Sequence, residues 1–481
     1  MLRRLLITLS LAAACLGTVA ATDASAQPRG MQLGFIDGGL ASVDNQQYAT
    51  GLAHARDAGA TIWRIFAIWA TVAPTAPPNA AAASDPGWPG YNWSTVDRVV
   101  TATAAAGLEP VLVPFRAPAW AEGPNRPSTD QALAGTWRPS APALQAFATA
   151  LARRYSGTYA DATGQVLPRV RFIQAWNEPN LAVDVTPQYT RKGGRWVPAS
   201  PGIYRSMLNA VYRGVKAAVP SDVVITAGTA PYGDLDKSSN ARIPPVAFWR
   251  SLLCVQGRTD LRSTRCGQHV SFDALAHHPY PIGPPRRRAR NPDDAVVPDI
   301  GKITRVLRVA QRAGTVLPRG TKPIWATEIS WDSTPDPDGL SLADQARYLE
   351  GALYTLWKQG VRYVTWFNLR DEAKGKGWDS TYQSGIFTRG DTVADDTPKP
   401  SYTAFRFPFT AYRTNGVAEL WGMAPQAGPV AVQALVKGTW HTAASLTAGS
   451  DRVFVGRLRV GRGTKLRAVS GADESLTWTT F

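Results

Sequence analysis

Two stretches determine the fold that this sequence predicts: residues 170–180, VRFIQAWNEPN, and residues 323–331, PIWATEISW. Each is an apolar, strand-like run followed by a single glutamate, Glu178 in the first and Glu328 in the second. A carboxylate at the end of a buried strand can have its pKa raised by desolvation or lowered by hydrogen bonds. A glutamate in a loop is ordinarily a solvated residue. The importance of this pair therefore depends on how the rest of the chain arranges the two stretches.

Strand-like runs alternate with helical periods over most of the chain, and the helix that starts near residue 300 spaces its apolar residues three and four apart. The predicted strands are 32–36, 61–68, 109–115, 171–176, 223–227, 272–276, 323–327 and 361–367. The predicted helices are 48–60, 93–106, 143–155, 200–219 and 245–255, with three more starting near 300, 342 and 400. This alternation predicts an α/β fold, a (β/α)8 TIM barrel over residues 27–411. A doubly wound open sheet is the competitor, but no G-x-G-x-x-G follows the first strand.

The pattern changes after Ala411, where helical periods give way to short alternating runs at 430–436, 443–447, 453–460 and 466–469. Turn residues such as Gly438 and Gly449 separate these runs. The pattern predicts a small antiparallel β-module, a β-sandwich, over residues 412–481. About 70 residues are marginal for a free domain, so we expect the module to pack on the barrel. A sugar-binding role is the alternative.

The N-terminus has the pattern of a secretory signal peptide at residues 1–26. Arg3 and Arg4 form a positive start, residues 5–19 are apolar, and the sequence 24–26 offers an A-x-A cleavage site before Gln27. The sequence therefore predicts a secreted, extracellular protein. No later run reaches about 18 apolar residues, so no membrane span is expected.

Cleavage at Gln27 would discard Cys15 and leave Cys254 and Cys266 as the only cysteines. Two cysteines close together in an exported chain predict a disulfide bond around the loop between them. Two free thiols are the alternative.

The chain is strongly basic, with a formal charge of +16 that becomes +15 when two arginines and one aspartate leave with the signal. The densest basic run covers residues 286–290 in a proline-rich loop. Such a run is a solvated loop or a contact for an anionic polysaccharide or cell wall. No zinc-finger spacing and no aromatic RNP stretch accompanies it, so no nucleic-acid partner is expected.

Catalytic groups of a TIM barrel lie at the carboxyl ends of its strands. The predicted strand ends of this chain carry charged, amide and aromatic side chains suited to binding a polar substrate. These residues are Arg64, Arg116, Trp120, Asn177, Glu178, His277, His278, Tyr280, Glu328, Trp331, Trp366 and Asn368.

The stretch AWNEPN at residues 175–180 resembles glycoside hydrolase family 39 and its neighbours in family 5, which belong to the clan A retaining enzymes. The resemblance covers residues 31–412 and includes the second glutamate on strand seven. The stretch TEISW at 327–331 departs from the Glu-Phe-Gly or Glu-x-Gly-Trp forms of these families. The two motifs together therefore indicate the clan more firmly than one family.

The resemblance implies roles for the strand-end residues. Glu178 is the expected general acid/base, and Glu328 is the expected nucleophile. Arg64 and Tyr280 are expected to hold Glu328 ionised, and Asn177 to bind a sugar hydroxyl. The remaining expected substrate contacts are His278, Trp120, Trp331, Asn368 and the stacking platform Trp366.

The implied function is a secreted, monomeric retaining glycosidase that cleaves β-linked oligo- or polysaccharides with no metal or cofactor. A transglycosylase would use the same residues. An inert sugar-binding protein would have lost one glutamate, and both are present. A metal-dependent hydrolase is suggested by His277 and His278, but the chain has five histidines in all, and adjacent residues of a strand face opposite ways.

Overall fold

The computed structural model describes residues 30–265 and 267–481. The predicted signal peptide and Cys266 lie outside the described residues. Cleavage before Gln27, secretion and the disulfide between Cys254 and Cys266 therefore stay predictions.

Eight parallel strands form the barrel that the sequence predicts. They are β1 (Gln32–Ile36), β2 (Ile62–Ile68), β3 (Glu109–Phe115), β4 (Phe172–Ala175), β5 (Val223–Thr226), β6 (Leu275–His277), β7 (Ile324–Ile329) and β8 (Val361–Phe367). Their order in the sheet is β6-β7-β8-β1-β2-β3-β4-β5. A parallel bridge between Ile225 and Ala274 joins the two ends and closes the sheet. The predicted (β/α)8 fold is confirmed.

Eight helices alternate with these strands, as predicted: α1 (Asn45–Asp57), α2 (Ser94–Ala105), α3 (Ala141–Arg154), α4 (Ser200–Ala218), α5 (Pro245–Leu252), α6 (Ile300–Arg312), α7 (Leu342–Lys358) and α8 (Pro400–Arg406). Short helical segments lie between them at Trp69–Val72 and Ala80–Ser84. Helix α1 begins three residues before its predicted start because the Asp44 side chain caps it, accepting a hydrogen bond from the Gln47 amide.

Two strands differ from their predicted bounds by two residues or more. The predicted strand 272–276 is displaced, because Val270–Ser271 pairs with Val316–Leu317 outside the barrel and β6 itself begins at Leu275. Strand β7 runs two residues past its predicted end, to Ile329. Glu328 therefore lies within the strand, and the strand fixes the position of its backbone.

Side chains inside the barrel follow the period of two along each strand. At one level Phe172 of β4 packs against Trp325 of β7, with ring centroids 4.9 Å apart. The next inward residues of these strands, Gln174 and Thr327, are polar and buried. The barrel interior therefore changes from aromatic to polar toward the ends of the strands that carry the two glutamates.

The C-terminal region consists of antiparallel strands, as predicted. They are β9 (Phe409–Thr414), β10 (Val417–Met423), β11 (Gly428–Val436), β12 (Thr439–Ala448), β13 (Val453–Arg459), β14 (Lys465–Ser470), β15 (Asp473–Glu474) and β16 (Trp478–Thr479). One sheet has the order β9-β10-β13 and the other β12-β11-β14-β15, with β16 paired to β14. Phe409, Leu420, Val430, Phe454 and Leu466 lie in one buried cluster shared by the two sheets.

Strands β9 and β10 were not predicted, and the predicted start of the module at residue 412 lies inside β9. Asn415 and Gly416 join the two strands with φ values of 51° and 81°. An Asn-Gly pair between two apolar runs is a strong hairpin signal. The hairpin was therefore visible in the sequence.

The β-module packs against helix α7 of the barrel. Trp421 of β10 lies with its ring centroid 5.7 Å from that of Tyr354 and 5.8 Å from that of Trp357. The Phe409 amide donates a hydrogen bond to the buried Glu350 carboxyl, at 3.3 Å. Aromatic burial of this kind stabilises the contact between the two parts. In the described ranges we find no helix with the length and apolar content needed to cross a membrane.

Candidate active site

The two glutamates meet at the same end of the barrel. Strand β4 ends at Ala175, and Trp176 follows with a φ of 79°, which turns the chain before Asn177 and Glu178. One side-chain oxygen of Glu178 and one of Glu328 lie within 4.8 Å of each other. Both side chains are largely buried, with 16% and 11% of their surfaces exposed. The two carboxyl groups therefore form one site with little solvent around it.

Glu328 is surrounded by groups that favour its ionised form. Arg64 Nη1 lies 2.6 Å from Glu328 Oε1, and the Tyr280 hydroxyl donates to Oε2 at 3.0 Å. Burial acts to raise the pKa of Glu328, but the charge of Arg64 and the hydrogen bonds from Tyr280 and Arg64 oppose it, and this pKa lies below its usual value. Both contacts expected of Arg64 and Tyr280 are present.

Glu178 has the opposite electrostatic surroundings. Burial raises its pKa well above the usual value, and the negative charge of Glu328 raises it further, while Arg64 only partly opposes these effects. At a pH between these two pKa values the pair therefore holds one proton on Glu178 and one negative charge on Glu328. Environments that separate the pKa values of two carboxyl groups give one the role of acid and the other the role of ionised partner.

His278 lies between the two carboxyl groups. Its Nδ1 is 2.8 Å from Glu178 Oε1 and 3.7 Å from Glu328 Oε2. Burial lowers its pKa to about 4, so the ring is neutral at pH 7. A neutral imidazole donates from one nitrogen and accepts at the other, so its tautomer decides what it offers to Glu178.

The tautomer of His278 follows from two residues that the sequence analysis missed. Arg64 Nε donates to Gln174 Oε1 at 2.6 Å, so the Gln174 amide nitrogen is the group that donates to Thr327 Oγ1, at 3.0 Å. The remaining contact of the Thr327 hydroxyl among the described residues is His278 Nε2, at 3.0 Å. The buried hydroxyl hydrogen needs an acceptor, and Nε2 supplies it. His278 therefore carries its proton on Nδ1 and donates it to Glu178.

Asn177 is held on both sides of its amide. Its Oδ1 accepts from Arg64 Nη2 at 2.8 Å, and its Nδ2 donates to Asp184 Oδ2 at 3.0 Å. Nothing in the local sequence around Asp184 distinguishes it from other loop aspartates. The contact expected between Asn177 and a sugar hydroxyl stays a prediction.

Asp184 itself is a buried acid beside Glu178 and Glu328. Burial and the charge of Glu178 raise its pKa to about 8, against the opposing effect of Arg116 and the Asn177 hydrogen bond. Arg116 Nη2 lies 3.7 Å from Asp184 Oδ1.

Replacing Asp184 with Asn should stabilise the protein increasingly as the pH rises from 4 to 8. In this range the folded carboxyl group, with its pKa of about 8, binds more protons than the unfolded one, whose pKa is about 3.9. The free energy of unfolding therefore falls as the pH rises, and the amide lacks this effect. Thermal unfolding midpoints of both proteins across this range check the sign. Equal pH dependence of the two midpoints would contradict it, and the exposed Asp338→Asn variant is the control.

The predicted aromatic contacts are less accessible than expected. Trp366 is 1% exposed and donates its indole hydrogen to the Ser384 carbonyl at 2.7 Å, which favours a core role over a stacking platform. Trp331 is buried and bonds the Gly283 carbonyl, and half-buried Trp120 bonds the Ala73 carbonyl. The substrate-binding roles of all three tryptophans stay predictions.

Two further strand-end residues are buried. Asn368 donates weakly to Glu372, at 3.5 Å, and its Oδ1 has no hydrogen-bond partner within residues 30–265 and 267–481. His277 contacts Thr229 and the Ala295 carbonyl, each at 2.9 Å, so both of its nitrogens are used away from His278. The two histidines therefore face different surroundings, as the sequence predicts.

Glu178, His278 and Glu328 also form a donor set of the kind that binds metal ions, with their ligand atoms within 4.8 Å of one another. Arg64 places a guanidinium 2.6 Å from Glu328, and its positive charge opposes a cation at the same carboxylate. His278 Nδ1 carries a hydrogen, so it presents no lone pair toward the space between the carboxyl groups. The site is therefore better suited to acid–base and nucleophilic chemistry than to holding a metal.

Solved structures of glycoside hydrolases are similar to this chain in fold. A family 39 glycoside hydrolase from the gut symbiont Bacteroides cellulosilyticus WH2 is similar at 18% identity, with a TM-score of 0.54, over 90% of this chain and 79% of that one. The chain has the fold of family 39 glycoside hydrolases. A family 39 β-xylosidase from Caulobacter crescentus is similar at 16% identity, with a TM-score of 0.50, over 90% of this chain and 96% of that one. No family model and no curated protein sequence matches the chain.

Proposed function

We propose that the protein is a retaining glycosidase that hydrolyses β-linked sugars by double displacement. The observation that carries the proposal is the buried pair Glu178 and Glu328, whose pKa values are shifted in opposite directions within one site. The family 39 fold supports it. The substrate is a carbohydrate, and secretion by the N-terminal signal is part of the same proposal.

The first step joins the sugar to the protein. Glu328, held ionised by Arg64 and Tyr280, attacks the anomeric carbon, while Glu178 gives its proton to the leaving glycosidic oxygen. The carbon–oxygen bond to the leaving group breaks as the ester bond to Glu328 forms. The leaving sugar departs as a neutral alcohol.

In the second step Glu178 acts as a base instead of an acid, and Glu328 is the leaving group instead of the nucleophile. Esterification removes the negative charge of Glu328, which was one cause of the raised pKa of Glu178. Glu178 is then a stable carboxylate, with His278 Nδ1–H donating to its Oε1. It takes a proton from the incoming water, which attacks the anomeric carbon and releases Glu328.

The spacing of the carboxyl groups favours retention over inversion. Retaining enzymes hold the two groups about 5–5.5 Å apart, and inverting enzymes hold them about 6.5–9.5 Å apart to admit a water molecule. The oxygens of Glu178 and Glu328 that approach within 4.8 Å support the shorter class. Glu328 also belongs to a strand, so its position depends little on loop motion.

NMR detection of the first sugar released tests the proposal. A panel of aryl β-xylosides, β-glucosides and β-mannosides is incubated with the protein, and at least one is expected to release the β-anomer before mutarotation. Initial release of the α-anomer would contradict retention. Release of a new glycoside in place of free sugar, when an acceptor sugar is added, would instead identify a transglycosylase. If the protein turns over none of these glycosides, the proposed glycosidase activity is contradicted.

A further inference from the structure

A second concave surface lies away from the two glutamates, between helix α7 and the β-module. It is a cleft of about 600 Å³, within the range of pockets that bind small molecules. Its charged lining residues are four cations and one acid: Arg286, Arg288, Lys358, Arg457 and Glu419. The basic run at 286–290, which the proposed reaction does not use, supplies two of these cations.

The charge of this cleft is only partly neutralised. Lys358 Nζ pairs with Glu419 at 3.1 Å, and Arg288 pairs with Asp299 at 3.3 Å. Arg286 and Arg457 have no ion pair with any residue in the described ranges 30–265 and 267–481. Glu419 lies opposite Arg457 on the neighbouring strand, but its ion pair is with Lys358. The cleft therefore keeps an excess of positive charge, which attracts an anionic ligand.

The Arg286 side chain is held in place by an aromatic surface. Its guanidinium carbon lies 4.5 Å from the centroid of the Tyr412 ring, and Tyr412 stacks on Tyr354 with centroids 5.2 Å apart. Cation–π contact restricts the guanidinium to one region without using its hydrogen-bond donors. A planar, pre-positioned guanidinium is suited to binding a carboxylate with two parallel hydrogen bonds.

The chain connects this cleft to the catalytic end of the barrel. Tyr280, which contacts Glu328, and Arg286 are six residues apart on the loop that follows β6. Six residues span at most about 22 Å even when fully extended. One polymer chain can therefore lie near both places.

We propose that the cleft between α7 and the β-module binds an anionic polysaccharide whose sugars carry carboxylates, a polyuronate. Arg286 and Arg457 bind carboxylates, and Arg288 and Lys358 add attraction at the edges. The cleft volume suits a few sugar residues, whereas a nucleic-acid duplex needs a long basic surface. Binding here is independent of catalysis, because none of these residues contacts Glu178 or Glu328.

The test measures binding of the full-length protein to polygalacturonate, to neutral dextran and to single-stranded DNA by calorimetry at moderate salt. We expect polygalacturonate to bind, dextran not to bind, and DNA to bind at least tenfold more weakly. The Arg286→Ala/Arg457→Ala variant should bind polygalacturonate at least tenfold more weakly, since each substitution removes a charge-assisted hydrogen bond to the ligand. The single variant Arg457→Gln, on an exposed strand position, replaces it if the double variant is unstable.

The matched control is Arg305→Ala/Arg312→Ala, which removes the same charge from exposed positions of helix α6 outside the cleft. It should bind as the parent does. Equal weakening by both double variants would show attraction to net charge alone and would overturn the proposal. Absence of binding to polygalacturonate, or equal binding to DNA, would also overturn it. Glu328→Gln should bind normally, so failure of the proposed glycosidase reaction and failure of this site are separate results.

Discussion

Replacing Glu328 with Gln is expected to lower turnover of an activated aryl glycoside by about 10⁴-fold or more, the scale seen when a covalent nucleophile is removed. The amide has nearly the same volume as the carboxylate, but it lacks the charge and the nucleophilic oxygen. Glu328 accepts from Arg64 and Tyr280 on separate oxygens, and a glutamine offers only one acceptor oxygen. An activated leaving group does not compensate, because the missing group is the one that attacks the sugar.

Initial rates and thermal unfolding midpoints of Glu328→Gln and of the control Glu109→Gln check this prediction. Glu109 is the first residue of β3, at the opposite end of the barrel from Glu178 and Glu328, and pairs with Arg171. The control should keep the parent's rate. If Glu328→Gln keeps more than about a hundredth of that rate while folded, Glu328 is not the nucleophile.

Much of the fold could be predicted because periodicity and chain order determine it. The eight predicted strands occur in the barrel within a few residues, and the glutamates follow from their places at the ends of β4 and β7. The role of Arg64 as a partner of Glu328 was implied by the family resemblance, and Arg64 is the third residue of β2 rather than its last. A parallel barrel brings strand ends together whatever the loops do, so local patterns were sufficient.

The supporting residues could not be found in the same way. Gln174 and Thr327 are ordinary polar residues within apolar strands, and only the inward period from Phe172 and Trp325 indicates them. Asp184 lies in a loop whose course depends on tertiary contacts. The burial of Trp366 likewise depends on neighbours that are distant in the chain, such as Ser384. These features depend on tertiary packing, which strand and helix periods do not encode.

Replacing Glu178 with Ala is expected to have a different effect, one that depends on the leaving group and on azide. With an unactivated glycoside, loss of the proton donor should lower the rate by about 10²–10⁴-fold. With a dinitrophenyl glycoside, Glu328 can still form the ester, because this leaving group needs no proton. Hydrolysis of the ester then becomes slow, since no base remains to activate water. The KM should fall along with kcat as the ester accumulates.

Azide should restore turnover of the dinitrophenyl glycoside in Glu178→Ala and give a β-glycosyl azide, identified by NMR. The anion needs no general base, and the shortened side chain leaves space for it beside His278 Nδ1, which lies 2.8 Å from the Glu178 carboxyl oxygen in the parent. Azide should not restore Glu328→Gln, where the amide fills the space and no ester forms. Formation of an α-glycosyl azide by Glu178→Ala would instead show that Glu178 is the nucleophile and Glu328 the acid/base. The neighbours of the carboxylates argue against that outcome, because Arg64 and Tyr280 hold the charge on Glu328, while burial keeps the proton on Glu178.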